Sequence, residues 1–323
     1  MMSKFLVTGG AGFIGSNIAE FLVKKGHAVR ILDNFCSGTW DNLDFAKGLS
    51  KEKFEVLEGD IRDKAMCDKA CAGVDYVLHQ AALRSVPKSM VDPESYNDVN
   101  ISGTLNMLQA AAKHKVKRFV MASSSSVYGD TDLFPEVETQ YPVLISPYAL
   151  SKLAGEYYCR IFSEHFGLET VGLRYFNVYG PKQALDDEYA VVVPKFIHCI
   201  FNNEQPPIFG TGKQSRDFTF IDNVVQANYL SAITPGIKHE VFNVANGESN
   251  TVLHLVEVIN KILGKNIQPK LLPVRAGDVF KTEADIEKIK TKLNYKPSVT
   301  FEEGIRRSIG YFKIKFGTVK ANS

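Results

Sequence analysis

The sequence predicts an α/β protein built on a doubly wound parallel β-sheet, with helices on both of its faces. Short β-branched runs alternate with longer helical patterns through the first half of the chain, as strands and crossover helices do in such a sheet. A glycine-rich turn joins the first run to the first helical pattern, and no internal repeat interrupts this order. With 323 residues, the chain is long enough for one large α/β domain and a smaller partner.

The alternation can be placed on segments of the first half. The β-branched runs predict strands at Lys4–Thr8, Val29–Asp33, Lys53–Glu58, Tyr76–His79, Arg118–Ser123 and Thr170–Arg174. The longer patterns predict helices at Gly15–Lys25, Asn100–His114 and Pro147–Phe166. Apolar residues recur in the second of these helices at the spacing of one helix face, namely at Ile101, Leu105, Leu108 and Ala112.

The second half is less regular, which predicts a domain boundary near residue 180. The stretch from Gly180 to Arg216 is rich in Pro, Gly and Asn. Beyond it, short strands are predicted at Phe218–Ile221 and Val241–Val244, and amphipathic helices at Thr251–Leu263 and Phe301–Phe312. We expect a first domain at 1–180 with a returning segment near 217–246, and a smaller C-terminal α/β domain at 181–216 and 247–323.

Composition excludes several classes of function. A net charge of +2 gives no case for binding nucleic acid or a membrane surface, and no apolar run approaches the ~20 residues that span a bilayer. The five cysteines are odd in number and contain no Cys-x-x-Cys pair, so we predict neither disulfides nor a metal site. Cys67 and Cys71 are spaced for one helix face and are expected to be buried, reduced thiols of a cytoplasmic protein.

The glycine-rich turn predicts a Rossmann-type dinucleotide site. Residues Thr8–Gly15 read Thr-Gly-Gly-Ala-Gly-Phe-Ile-Gly and lead from the first strand into the first helix. Gly9 suits a tight turn, Gly12 lets the backbone approach a pyrophosphate, and Gly15 permits close packing of helix on strand. With Phe13 and Ile14, these residues would place phosphates at the amino end of the helix.

Acidic and small residues follow the next strands, where a dinucleotide would lie. Asp33 ends the second strand about 20 residues after the turn, as a ribose-binding carboxylate does, and its charge favours NAD over NADP. The alternative for Asp33 is a strand-end cap leading into a turn at Asn34. Asp60-Ile61 could meet the adenine, although a simple turn aspartate is equally consistent. Ala81 and Ala82 would let the cofactor lie close to the sheet.

A tyrosine and a lysine four residues apart suggest acid–base chemistry. Tyr148 and Lys152 project from one face of the same helix. A free phenol ionises near pH ~10, so forming a phenolate near pH 7 requires the pKa to fall by about three units, or roughly 4 kcal/mol. A nearby cation, together with the positive charge of oxidised nicotinamide, can supply this stabilisation of the phenolate. The serine run Ser123–Ser126 lies at the carboxyl end of a predicted strand, where its hydroxyls could orient a sugar hydroxyl. The alternative interpretation of this run is a polar loop without a role in catalysis.

In this order, the motifs resemble the extended short-chain dehydrogenase/reductase family, and within it the nucleotide-sugar 4-epimerases, over essentially the whole chain. The matching segments are Thr8–Gly15, Asp60–Ile61, His79–Ala82, Asn100, Ser123–Gly129, Tyr148–Lys152 and Leu173–Pro181. The resemblance implies that Ser124 is the catalytic serine, Tyr148 the base and Lys152 the residue that lowers its pKa. It also implies that Asn100, Tyr148 and Lys152 contact NAD.

The family also contains other reactions, and the sequence separates some of them. The 4,6-dehydratases carry an Asp-Glu pair where Ser125 and Ser126 stand here, and the sugar-acid decarboxylases usually carry Glu at the second position. An NADPH-dependent reductase is disfavoured by Asp33. Epimerisation at carbon 4, through a transient 4-keto sugar and with no net oxidation, needs none of these extra groups.

The resemblance also assigns a nucleotide end of the substrate site in the second domain. Residues that match UDP-binding positions are Asn177, Arg216, Arg275 and Asp278. Two arginines suit a diphosphate because each guanidinium can make paired hydrogen bonds to its oxygens. For either arginine taken alone, the alternative to diphosphate binding is an ion pair on the protein surface.

The sugar is harder to identify. Thr282 falls where the family has a bulky tyrosine or a small residue, and a small residue leaves space for an N-acetyl group. Polar partners are expected from Gln183 and from Ser124, Ser125 and Ser126, and the loop at 189–194, including Val192, resembles that of UDP-N-acetylglucosamine 4-epimerases. Asn177 and Ala184 replace the threonine and arginine of glucuronate-specific relatives.

One departure from the family pattern leaves two possibilities open. Arg84, followed by Ser85, stands where N-acetyl-preferring relatives have a small residue and glucose-type enzymes have lysine. Arg84 could reach the substrate or merely cover the site. We therefore expect a UDP-N-acetylglucosamine/UDP-N-acetylgalactosamine 4-epimerase, with a UDP-glucose/UDP-galactose or dual-specificity enzyme as the alternative.

Two further expectations concern other classes and assembly. A non-catalytic NAD-sensing scaffold on the same fold typically lacks the tyrosine or the lysine, and this chain keeps both. By resemblance, the helices at Asn100–His114 and Pro147–Phe166 pack with their twins in a homodimer. The alternative is that their second apolar face lies within the monomer.

Overall fold

A computed structural model describes residues 2–185, 192–274 and 279–321, with side chains up to residue 315. Its strands are β1 (Lys4–Thr8), β2 (Ala28–Asp33), β3 (Phe54–Glu58), β4 (Tyr76–His79), β5 (Arg118–Ser124), β6 (Glu169–Tyr175), β7 (Val178–Tyr179), β8 (Pro207–Phe209), β9 (Ser215–Arg216), β10 (Thr219–Phe220), β11 (His239–Val244), β12 (Asn250–Thr251) and β13 (Lys270–Leu272). Its α-helices are α1 (Phe13–Lys24), α2 (Lys64–Cys71), α3 (Val86–Val91), α4 (Pro93–Tyr96), α5 (Thr104–Lys113), α6 (Pro147–His165), α7 (Val192–Phe201), α8 (Ile221–Ile233), α9 (Val252–Leu263), α10 (Glu287–Leu293) and α11 (Phe301–Ala321).

Seven parallel strands form the central sheet, in the order β3-β2-β1-β4-β5-β6-β11. The order reverses direction between β1 and β4, where Thr8 is level with both Leu32 and His79. A reversal of this kind opens a crevice at the carboxyl ends of the strands, where ligands of such sheets bind. The predicted doubly wound fold is therefore confirmed.

Burial on both faces explains why the central strands read as continuous apolar runs. Every residue of β5 is buried, and β1 is buried from Phe5 onward. Helix α1 covers one face with Ile18, Ala19 and Leu22, which recur at helical spacing. On α2, Cys67 and Cys71 are buried free thiols, as the sequence predicted.

The second half departs from the sequence expectation in several elements. The stretch expected to be irregular contains α7, whose residues Val193, Phe196, Ile197 and Ile200 have helical spacing and are buried. Helices α8 and α10 were also not predicted. Strand β11 joins the main sheet beside β6, so a segment of the chain does return to it.

The helix predicted at Asn100–His114 is a composite of two kinds of helix. A π-helical stretch runs over Asn97–Gly103 and passes directly into α5. Short π-helical insertions occur frequently at functional sites, because the extra residue redirects side chains. Among the described residues, no helix has both the length and the apolarity needed to cross a bilayer.

Candidate active site

A cleft of about 470 Å³ lies at the carboxyl ends of the strands. Most residues predicted to contact the cofactor line it, namely Gly9, Gly12, Phe13, Ile14, Gly15, Asp33, Asn34, Asp60, Ile61, Ala81, Ala82, Tyr148 and Lys152. Asn100 is the exception. Its carboxamide lies behind the lining and holds the backbone of Leu83 through two hydrogen bonds of 2.8 and 2.9 Å.

The glycine turn has the shape that a dinucleotide requires. Gly9 has φ +63°, and a Cβ there would lie 2.8 Å from the amide nitrogen of Ala81. A Cβ on Gly15 would clash with the carbonyl oxygen of Gly9, whereas one on Gly12 would meet only that oxygen, at 3.3 Å. The amino end of α1 has no side-chain cap, so its free N–H groups can receive a pyrophosphate. The residues present therefore fit NAD.

Asp33 serves the local turn and still lies in the cleft. One carboxylate oxygen accepts from the amide of Ala11 and the other from the amide of Phe35, each at 2.8 Å. The turn interpretation of this aspartate is therefore correct. Binding of a ribose hydroxyl by Asp33 stays a prediction, since each carboxylate oxygen has a further lone pair that can accept a hydrogen bond.

Asp60 has a partner that the sequence did not indicate. The guanidinium of Arg62 binds both carboxylate oxygens, at 3.0 and 2.9 Å, and the amide of Asn34 donates to one of them at 2.9 Å. Hydrogen bonds from Arg62 lower the pKa of Asp60 to about 2. An adenine contact for Asp60 stays a prediction. Other cleft residues that sequence reasoning missed are Gln80, Tyr175, Lys182 and Lys315.

The predicted catalytic side chains are brought together. The Ser124 hydroxyl acts to lower the pKa of the Tyr148 phenol, and Oγ of Ser124 donates to Oγ of Ser126 at 3.0 Å. Nζ of Lys152 lies 5.9 Å from the centre of the Tyr148 ring and donates to the carbonyl of Ala122 at 2.9 Å. Burial lowers the pKa of Lys152 to about 8, which leaves the amine mainly protonated at neutral pH.

Opposing influences act on the pKa of Tyr148. Burial raises this pKa, while the Ser124 hydroxyl and the charge of Arg84 lower it in part. The Lys152 ammonium donates to the Ala122 carbonyl. Its expected effect on the Tyr148 pKa, exerted together with oxidised nicotinamide, stays a prediction.

Buried polar side chains outside the cleft lining form hydrogen bonds and an ion pair that connect the elements carrying the site. The Glu156 carboxylate accepts from Ser123 and from Arg174, and both charged side chains are 5% exposed. Glu156 lies four residues after Lys152 on α6, so helical spacing was the signal that could have revealed it. On the other side, His79 links Thr8 of β1 to Thr104 of α5, at 2.8 and 3.0 Å.

The residues assigned to the nucleotide end are placed only in part. Asn177 donates to Oγ1 of the buried Thr282 at 3.0 Å, and Arg216 donates to the carbonyl of Phe280 at 3.1 Å. Gln183 is buried and donates to the carbonyl of Val178 in its own turn, at 3.1 Å. Of the remaining assigned positions, Ser85 caps α3, Ser125 and Ser126 lie in a 3₁₀ turn, and Val192 is the first residue of α7. Arg275 and Asp278 lie outside the described residues.

Known proteins resemble this chain over nearly its whole length. Residues 5–245 match the NAD dependent epimerase/dehydratase family. The solved UDP-N-acetylglucosamine 4-epimerase from Methanobrevibacter ruminantium M1, in complex with UDP-N-acetylmuramic acid, is 39% identical, with a TM-score of 0.92 and coverage of 97% of this chain and 99% of that one.

Two further relatives are named for other UDP-sugars. The UDP-glucose 4-epimerase from Thermotoga maritima, solved with UDP-glucose, is 37% identical, with a TM-score of 0.90 and coverage of 97% of this chain and 99% of that one. A UDP-glucuronate 4-epimerase from Thermodesulfobacterium geofontis is 33% identical over 99% of each chain.

Proposed function

This chain belongs to the NAD dependent epimerase/dehydratase family, and we propose that it is an NAD-dependent UDP-sugar 4-epimerase that interconverts UDP-N-acetylglucosamine and UDP-N-acetylgalactosamine. The observation that carries the proposal is that Tyr148 and Lys152 line the same cleft as the glycine turn, with the Ser124 hydroxyl acting to lower the pKa of the Tyr148 phenol. These are the groups that acid–base chemistry on a sugar hydroxyl needs.

Each of the three side chains has a separate part in the reaction. Tyr148 takes the proton from the 4-hydroxyl and later returns one to the same oxygen, after the sugar has presented the opposite face of carbon 4. Ser124 orients that hydroxyl toward the phenol, and the buried Lys152 keeps a positive charge next to the phenol ring. Bound NAD supplies reversible oxidation at carbon 4. The 4-keto sugar must turn over between the two halves of the reaction, so the nucleotide end has to hold it while the ring moves.

The nucleotide end is proposed to include Asn177 from the first domain, together with Arg216, Arg275 and Asp278 from a C-terminal domain formed by 181–216 and 247–323. The hydrogen bond between Asn177 and Thr282 supports this assignment, because it joins the first domain at 1–180 to that segment. The region near 217–246 would return to the first domain, which also binds NAD. Gln183, Val192 and the serines are proposed as sugar contacts.

The proposed preference for an N-acetyl sugar rests on Thr282. This side chain is small and buried, and it faces Asn177 rather than filling space as a tyrosine would. A specific observation favours a second candidate, UDP-glucose/UDP-galactose. Arg84 lines the cleft, at the position where glucose-type enzymes carry lysine.

Incubation with separate UDP-sugars tests these proposals. The NAD-loaded protein is mixed with UDP-N-acetylglucosamine, UDP-glucose or UDP-glucuronate, and the 4-epimers are resolved by chromatography. We expect the highest kcat/KM for the N-acetyl sugar. A higher value for UDP-glucose would favour the second candidate, and no interconversion of any sugar would overturn the function.

We also propose that the enzyme is a cytoplasmic homodimer. On α6, Leu150, Tyr157 and Ile161 lie on one face and are 53%, 57% and 43% exposed, which supports an interface with a second copy. Five free cysteines favour a reducing compartment. Light scattering should give twice the chain mass, and Leu150→Glu should give the monomer mass. A monomeric wild-type protein would contradict the dimer.

A further inference from the structure

A lysine with a strained backbone lies in the wall of the cleft, in the turn after β7. Lys182 has φ 70°, in the left-handed region that glycine adopts freely and most other residues adopt only at an energetic cost. Strained residues persist where surrounding contacts hold them, and they cluster at functional sites. The turn keeps a lysine where glycine would be less strained, which indicates that the lysine side chain has a task of its own.

The Lys182 ammonium connects α1 to the loop that follows β2. Nζ donates to a carboxylate oxygen of Glu20 on α1 at 2.7 Å and to the backbone carbonyl of Asn42 at 3.1 Å. Nζ also lies 4.8 Å from the centre of the Phe45 ring. The Lys182 side chain is 14% exposed, so water competes little for these contacts. One cation therefore holds three groups from two elements of the fold.

The loop on which Lys182 acts forms a wall of the cleft, and we call residues 37–47 the cofactor loop. Ser37, Thr39 and Asn42 line the cleft beside the glycine turn. A 3₁₀ helix covers Trp40–Ala46, and Leu43 alone of these seven residues is buried. A segment that buries few apolar side chains opens at a low free-energy cost. Polar contacts at its edges therefore determine how firmly the cofactor loop is held.

Other polar contacts attach the cofactor loop to the glycine turn. The carbonyl of Ala11, within that turn, accepts from the amide of Thr39 at 3.1 Å and from the carboxamide of Asn42 at 2.8 Å. Gly38 lies so close to Ala11 that a Cβ on the glycine would be 2.7 Å from the alanine Cβ. Asn42 is therefore held from two sides, by the glycine turn through its side chain and by Lys182 through its carbonyl.

The turn that carries Lys182 has a rigid support on α1. Nδ2 of Asn17 donates to the carbonyl of Pro181 at 3.2 Å. Helix α1 is itself packed into the core through Ile18 and Leu22. Lys182 thus reaches the cofactor loop from a firmly packed element, and the weakly buried loop is the part that would move if this contact were lost.

We propose that Lys182 is a positioning residue that holds the cofactor loop closed beside bound NAD and thereby slows the release of the cofactor. The inference deepens the proposed function and rests on NAD occupying this cleft. A loop that must open before a ligand leaves sets the dissociation rate of that ligand. Because epimerisation involves no net oxidation, the cofactor need not exchange between turnovers, and slow release does not limit the reaction.

The release rate of NAD tests the inference without any sugar. Protein loaded with radiolabelled NAD is diluted into excess unlabelled NAD, and the label that stays bound is followed by filtration. Lys182→Met should raise the release rate about 5- to 20-fold, since opening no longer breaks two charge-assisted hydrogen bonds. Lys182→Arg, which keeps the charge, should release NAD more slowly than Lys182→Met.

Lys182→Gly separates the side-chain role from a general loss of stability. Glycine relieves the strain at φ 70°, so the NAD-free form of this variant should be at least as heat-stable as that of Lys182→Met. Its NAD release should nevertheless be as fast as that of Lys182→Met, because the contact with the cofactor loop is missing in both.

The matched control is Lys24→Met. Lys24 binds the other carboxylate oxygen of Glu20 at 2.6 Å, but its side chain is 71% exposed. Its loss should leave the release rate at the wild-type value. A wild-type rate in both Lys182→Met and Lys182→Gly would overturn the inference, as would an equal rise in Lys24→Met. Because the measurement contains no UDP-sugar, its outcome is independent of whether any UDP-sugar is epimerised.

Discussion

Arg174 and Glu156 form a buried ion pair behind the serine run, with Nε–Oε1 and Nη2–Oε2 distances of 2.9 and 2.8 Å. Ser123 donates to the same carboxylate, and the Arg174 guanidinium lies 4.8 Å from the centre of the Tyr128 ring. The pair therefore joins β5 and β6 to α6, which carries Tyr148 and Lys152. Each charge depends on the other for its stabilisation, since both side chains are only 5% exposed.

Removing one partner of this pair should destabilise the protein strongly. Glu156→Gln leaves a buried guanidinium without its counter-charge, so we expect the free energy of unfolding in urea to fall by about 3–5 kcal/mol. The exposed pair of Arg160 and Glu164 on the same helix is the control, and Arg160→Gln should cost less than about 1 kcal/mol. Equal losses in the two variants would contradict the proposed role of burial.

Stability should depend on His79 in mildly acidic solution. Burial lowers the pKa of His79 to about 3, so between pH 3 and 6.5 the unfolded chain binds a proton that the folded chain does not. The stabilising contribution is complete above pH 6.5 and falls by about 1.4 kcal/mol for each pH unit below it. His79→Gln should flatten the curve of unfolding free energy between pH 6 and 4.5 by roughly that slope.

The control for the histidine experiment is an exposed histidine on α6. His165→Gln should leave the acid slope unchanged, because the His165 side chain is 68% exposed. If the curve for His79→Gln ran parallel to that of the wild type, His79 would not be the group responsible for the acid sensitivity.

Asp33 should determine the preference for NAD over NADP. Replacing it by Asn removes a charge that would repel a 2′-phosphate, and we expect the NAD/NADP affinity ratio to fall by roughly 10- to 100-fold, or about 1.5–3 kcal/mol. Binding can be followed by the fluorescence of Trp40, the single tryptophan, which stacks on Phe35 in the loop after β2. Asp41→Asn, an exposed carboxylate in that loop, is the control. A ratio unchanged by Asp33→Asn would rule this role out.

The lining of the cleft could be predicted in large part because its signals are local. The glycine turn, Asp33 and the alanines after β4 each follow a strand directly, and parallel strands bring such positions to one edge. Tyr148 and Lys152 were found for the same reason, since a spacing of four residues fixes their common face.

The supporting residues could not be predicted because their partners are distant in sequence. Glu156 meets Arg174 only after β6 has paired with β5, and Tyr96 meets Arg84 only because α4 folds back on the turn. The pKa of Tyr148 depends on burial, which spacing does not reveal. Helix α7 was missed because prolines and asparagines near it outweighed its apolar spacing.

The central claim is that Tyr148 exchanges a proton with the 4-hydroxyl while the hydrogen on carbon 4 leaves and returns within one closed site. UDP-N-acetylglucosamine and UDP-glucose, each carrying deuterium at carbon 4, provide the most direct test. We predict that the 4-epimer formed in ordinary water keeps its deuterium at carbon 4, and that Tyr148→Phe binds NAD normally but loses at least about 100-fold in kcat. Solvent hydrogen at carbon 4 of the product, or undiminished turnover in Tyr148→Phe, would contradict the account.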